Sequence, residues 1–164
     1  MTVSWDDKDI RKLPHEERLI RLEEIAKNDP DESARWDVVW MLGELAEETN
    51  LKGPAFEKAG KLLAWMLKND ENSIVRHEVS YQLAGRGYHK HIPDMVESAI
   101  HDESPLVRHE SCECLAIINA VDSKPHIEKL LHDPEKIVKE TAQFVLKRME
   151  RRKNKGYDRM ENSF

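Results

Sequence analysis

The chain has 164 residues, 39% hydrophobic and 35% charged, with a formal net charge of −6. That length suits one compact domain with its own core, and the charge fraction implies elements that each expose a broad polar face. The acidic balance disfavours a general nucleic-acid binder, which needs a clustered basic surface, and no run of about 18 apolar residues is available to cross a membrane.

At the start of the chain, "MTVSWDDKDIRK" lacks the apolar stretch of a signal peptide, so a cytoplasmic location is expected and residues 1–13 read as a loosely ordered flank. From there amphipathic stretches alternate in pairs. "EERLIRLEEIAKN" and "ARWDVVWMLGEL" are separated by "NDPDES" and predict a helical hairpin over about 14–47. "AFEKAGKLLAWMLKND" and "VRHEVSYQLAGR", joined through "NDENS", predict a second over about 54–87. The following "GYHKHI" places His89 and His91 in a loop, where a His-x-His with no third ligand in view reads as exposed surface. "IPDMVESAIHD" and "VRHESCECLAII" flank "HDESP" and predict a third hairpin over about 92–119, and "HIEKLLHD" with "VKETAQFVLKRM" a fourth over about 124–150. The basic run "KRMERRKNKGYDR" passes into residues 151–164, read as a solvated, fraying tail.

The second members of the pairs begin at Ala34, Val75, Val107 and Val138, offsets of 41, 32 and 31 residues. A hairpin of this size cannot bury its apolar face alone, so the repeat predicts an all-α fold, an α-solenoid of about four stacked hairpins over 14–150. Cys112 and Cys114 lie two apart on one predicted helix and point to different sides, which excludes a mutual disulfide and suits a reducing compartment. His15, His101, His126 and His132 fall near helix ends, where a histidine can meet terminal carbonyls, and carry no assigned chemistry.

The tetrapeptide Val-Arg-His-Glu occurs twice, at 75–78 and 107–110. With about 100° of helical rotation per residue and His77 at zero, Val75, Val79 and Leu83 fall roughly between 160° and 240°, Glu78 near 100° and Tyr81 near 40°. The second copy repeats this: Val107, Leu115 and Ile118 form the buried stripe, and His109, Glu110 and Glu113 lie on the far side. The two His-Glu pairs occupy equivalent positions on neighbouring helices, about 8–10 Å apart. One metal between them could collect imidazoles from both helices and a carboxylate from one, the set associated with non-haem iron and dioxygen. A plain solvated face accounts for the same residues as well as a metal does. The outward face of the flanking hairpins carries Trp36, Asp37 and Trp40 on one side and Glu140, Thr141 and Phe144 on the other. Aromatics opposite a core stripe suggest a substrate wall or a dimer contact, unless the N-terminal arm folds over them.

The pattern Asp-Pro-x-x-Val-Arg/Lys before a Leu-containing helix resembles HEAT repeats. His77-Glu78-x-x-Tyr81, then His109-Glu110-x-x-Glu113, then Glu140-Thr141 resembles deoxyhypusine hydroxylase, the HEAT-repeat enzyme family with a non-haem di-iron centre. The resemblance spans roughly residues 34–150 and implies His77, Glu78, His109 and Glu110 as ligands of Fe(II). It implies Tyr81 and Glu113 as groups behind the ligands or as contacts to a cationic substrate. The implied reaction is hydroxylation of an aliphatic carbon on an amine-bearing, lysine-derived side chain. The family enzyme carries two such halves with four His-Glu pairs, whereas this chain has two pairs, and "AGRG" and "AIIN" stand where the family tends to Gly-Gln or Gly-Ala. A single half would complete the centre as a homodimer with two irons. The alternative is a non-enzymatic interaction module; nothing in the sequence supports the tetrapyrrole site of the bilin lyases, which use similar repeats.

Overall fold

A computed structural model describes residues 4–154. Its helices are α1 (Asp7–Arg11), α2 (His15–Asn28), α3 (Glu32–Glu48), α4 (Pro54–Asn69), α5 (Ser73–Gly85), α6 (Ile92–His101), α7 (Pro105–Ile117), α8 (Lys124–Lys129) and α9 (Lys136–Asn154), with 3₁₀ turns at His89–His91, Val121–Ser123 and Leu130–His132. The described residues contain no strand, and none of their helices is long and apolar enough to cross a membrane. The pairs α2/α3, α4/α5, α6/α7 and α8/α9 are the four expected hairpins.

Local chemistry sets the helix starts. Asp31 accepts from the Ser33 N–H, and Asn72 accepts from Ile74 and Val75, each capping the second helix of its hairpin. Pro54, Pro93, Pro105 and Pro125 sit in first turns, where the missing N–H costs nothing. The second helices α3, α5, α7 and α9 stack side by side, and the expected stripe is enclosed: Val75, Val79, Leu83, Val107, Leu115 and Ile118 are all buried.

A ladder of arginine–aspartate pairs ties successive hairpins together. Arg35 reaches Asp70 through Nε at 2.8 Å and Nη2 at 3.1 Å, Arg76 reaches Asp102 with both contacts at 2.9 Å, and Arg108 reaches Asp133 at 2.8 and 3.1 Å. Each arginine also donates backwards to the backbone carbonyl of Asp29, Asp70 or Asp102, six residues earlier. Every arginine therefore clamps its own interhelix turn and the next one in a planar, two-pronged geometry. At the upstream end, the Trp5 indole donates to Asp29 at 3.2 Å.

The flanks differ from expectation. Residues 4–13 are held rather than loose: α1 buries Ile10 at 3% exposure, and Arg11 binds Glu44 of α3 at 2.7 Å. The Arg18 guanidinium adds a bond to the Arg11 carbonyl. The ordered body thus begins before residue 14, because Ile10 and Trp5 pack against the core and Arg11 is held by Glu44 and Arg18. At the other end α9 continues through Arg151 to Asn154, and the remainder of the expected tail, 155–164, lies outside the described residues.

Candidate metal centre

Side-by-side stacking of α5, α7 and α9 places His77, His109 and Glu140 at one level and Glu78, Glu110 and Thr141 at the next. The imidazole of each helix reaches toward the following helix. His77 Nε2 lies 3.1 Å from Glu110 Oε2, and His109 Nδ1 lies 2.6 Å from Thr141 Oγ1. The other ring nitrogen of His109 lies 3.7 Å from Glu113 Oε2, one turn further along α7.

Among the described residues, His109, Glu110 and Glu113 form a group whose ligand atoms lie within 4.8 Å of one another. His77 joins it through Glu110. Glu113, assigned by resemblance to a place behind the ligands, therefore stands among the atoms able to ligate. Glu78 is placed differently: its Oε1 accepts from Gln82 Nε2 at 3.2 Å. Glu110 is also not on an open face, for only 9% of it is exposed. It sits about 100° from His109 on a helix flanked on both sides, so the neighbouring helices close over it.

Both glutamates are steadied by the residue four positions later. Gln82 serves Glu78, and Cys114 Sγ donates to Glu110 Oε1 at 3.5 Å. Burial first, and then the Glu110 charge, pushes the Cys114 thiol well above its usual range, so the sulfur keeps the proton it donates. The Gln82 amide has room only because α3 carries Gly43 opposite it; a Cβ there would collide with Gln82 Oε1. Sequence reasoning passed over these supports. The available signal was a polar side chain four residues after each His-Glu glutamate, on the same helical face.

The flanking aromatics divide. Trp36 and Trp40 are half-buried rather than exposed, because their rings pack on each other with centroids 5.7 Å apart and Trp36 also packs against the core. Phe144 is 60% exposed and Tyr81 42%. Asp37 is exposed; partial burial, and then the nearby Asp7 charge, raises its carboxyl above the ordinary range. Glu140 is exposed and pairs within its own helix with Lys136 at 3.5 Å. Tyr81 also borders an open cavity of about 530 Å³ with Glu47, Asn50, Leu51, Gly85 and Arg86.

Imidazole and carboxylate donors suit a divalent first-row metal. The local charge points the same way: a nearly buried Glu110 and the neighbouring Glu113 meet histidines at this face, while Arg76 and Arg108 are committed to the aspartate ladder. A cation would balance these carboxylates, so the residues present fit a metal ion.

The chain is 30% identical over 121 residues to deoxyhypusine hydroxylase of Saccharomyces cerevisiae, covering 70% of this chain and 36% of that protein. It is 35% identical over 104 residues to the Arabidopsis thaliana protein of the same name, covering 62% of this chain and 32% of that one. The human deoxyhypusine hydroxylase structure in complex with glycerol superposes with a TM-score of 0.71 at 23% identity, over 87% of this chain and 46% of that one. The chain thus spans less than half the length of these relatives. The family model for HEAT repeats matches residues 60–147, more than half of the sequence, and the chain belongs to the HEAT-repeat family.

Proposed function

We propose that this chain is a non-haem iron hydroxylase that activates dioxygen and oxidises an aliphatic carbon of an amine-bearing side chain or small amine. The observation that carries this reading is the convergence of His109, Glu110 and Glu113, with His77 against Glu110, on one face of stacked helices. The similarity to proteins named deoxyhypusine hydroxylase supports the reaction class. When bound, ferrous iron supplies the electrons that let dioxygen react. His77, His109, Glu110 and Glu113 would hold it, and Glu78 offers one more carboxylate. Cys114 and Gln82 fix the orientation of Glu110 and Glu78. Tyr81, 42% exposed one turn beyond His77, borders the approach.

The working form in this proposal is a two-fold homodimer in the cytoplasm with two Fe(II). Exposed Ile74, Leu106 and Ile137 occupy equivalent positions, three residues before His77, His109 and Glu140, while Tyr81 and Phe144 lie seven residues after the first and last of them. Those spacings set the apolar side chains along the same face as the His-Glu pairs. A second copy facing this surface would cover them and double the ligand set.

Iron analysis tests the reading. The protein loaded with ferrous iron under anaerobic conditions is expected to retain close to one iron per chain after desalting, and His109→Ala to retain none. The same apolar rows also suit a non-enzymatic interaction module. A chain that stays metal-free after reconstitution overturns the hydroxylase reading and favours that alternative.

A further inference from the structure

We propose that Thr141 is a positioning residue that fixes His109 as the Nδ1–H tautomer and so turns the bare Nε2 toward Glu113 and the metal position. This rests on the metal-centre reading and adds a role for α9, the helix that lacks the His-Glu pair.

The argument is a count of hydrogens. A threonine hydroxyl has one hydrogen to donate and two lone pairs to accept with. Thr141 Oγ1 lies 2.8 Å from the Ile137 carbonyl oxygen, which has no hydrogen of its own to offer. The hydroxyl therefore donates back along its own helix, a common habit of threonine. Its second contact, 2.6 Å to His109 Nδ1, then requires the ring to donate. The opposite tautomer would leave one hydrogen to serve two acceptors, so that a contact of 2.6 or 2.8 Å would set lone pair against lone pair. Thr141 is only 7% exposed, which leaves little access for water to relieve such a contact.

The consequence falls at the other nitrogen. A neutral ring protonated at Nδ1 presents a lone pair at Nε2, and here Nε2 faces Glu113 Oε2 at 3.7 Å. A lone pair opposite a carboxylate is unfavourable unless a positive charge, a metal ion or a second ring proton, lies between them. Histidines that bind metals generally donate their other N–H to a fixed acceptor, which sets tautomer and ring orientation together. Thr141 occupies the position that holds Glu78 in α5 and Glu110 in α7. The change from Glu to Thr in the third copy exchanges a ligand for the acceptor that steadies the neighbouring helix's ligand.

The test uses the full chain with ¹⁵N-labelled histidine, first metal-free and then titrated with Co(II). In long-range ¹⁵N–¹H spectra at mildly alkaline pH, His109 is expected as the Nδ1–H form. Thr141→Val should shift it to the Nε2–H form, and Thr141→Ser should retain Nδ1–H. Co(II) affinity, followed by visible absorption, should weaken about 10–100-fold in Thr141→Val and change little in Thr141→Ser. A wild-type His109 found as Nε2–H overturns the proposal even if the valine variant fails to fold. So does a valine variant that changes tautomer without losing Co(II) affinity. A wild-type chain that shows the Nδ1–H form yet binds no Co(II) refutes the metal centre itself, a separate and recognisable failure.

Discussion

His77 and His109 are partly exposed and lie away from the buried stripe, which makes them good probes of the proposed metal site. His77→Ala should abolish metal binding at a stability cost of about 1 kcal/mol, because it also removes the contact to Glu110. His109→Ala should do the same at about 1 kcal/mol, because it also removes the Thr141 bond. Circular dichroism melts with bound-metal analysis check both; loss of helicity before loss of metal would make these histidines structural. Cys112 and Cys114 give a second prediction. Burial raises both thiols, Cys112 to about 12, so neither should be alkylated by iodoacetamide at neutral pH in the native chain, and both should react after denaturation. Mass spectrometry reads the labelling directly. Sequence phase could not show that Glu110 is buried. It measures direction against the residue's own helix, whereas burial at 100° from the ligand depends on how closely two other helices flank it.

The hairpins were legible because each helix carries an apolar stripe with turn residues at its ends. Leu83→Ala and Leu115→Ala should each cost about 2–5 kcal/mol, since both side chains are almost fully enclosed. Urea unfolding measures this, and an unchanged midpoint would show the stripe to be misplaced. The arginine ladder leaves a trace in the sequence, Asp followed six residues later by Arg or Lys four times over, but nothing local marks it as a set of bridges. Its partners lie 25–35 residues apart, and a single arginine on an amphipathic helix ordinarily belongs to a solvated face. Arg76→Ala should cost about 3–5 kcal/mol, more than a surface pair, because it leaves the Asp102 carboxylate enclosed without a partner. The last rung adds a pH dependence. Burial alone would raise the Asp133 carboxyl, but hydrogen bonds from Arg108 and the Glu135 N–H, with the Arg108 charge, outweigh it and hold the group below its ordinary range. A lowered folded-state value means that this stabilisation is complete above about pH 4 and disappears as pH falls through the lower folded-state value. Melting temperatures of wild type and Asp133→Asn should therefore differ at neutral pH and converge in acid.

At the scale of the molecule, the proposed face-to-face dimer predicts twice the chain mass by light scattering. Mössbauer spectra of the ⁵⁷Fe-loaded protein should show a coupled pair. Phe144→Glu should yield monomers with unchanged helicity, because an exposed ring on the proposed contact contributes little to the core. A monomeric wild type holding one uncoupled iron would replace this arrangement with a mononuclear site. The sequence pointed to the proposed pairing through the half-length resemblance and the outward-facing aromatics, but no pattern within one chain records how a second copy would be oriented on that surface.

The ladder also bears on how such a chain could change over generations. Each arginine sits six residues after the aspartate whose carbonyl it caps, and reaches forward to the aspartate of the next turn, so all contacts of one rung are defined within a hairpin and its immediate successor. Excising residues 75–106 would set Arg108 six residues after Asp70, leaving Arg35–Asp70 and Arg108–Asp133 with their sequence relations intact. Such a deletion should still fold, with a lower melting temperature and no iron, whereas removing half that length should not. Whole hairpins would then behave as heritable modules, gained or lost by unequal recombination without repair at the seam, and a long solenoid and a short one could descend from each other in a single event.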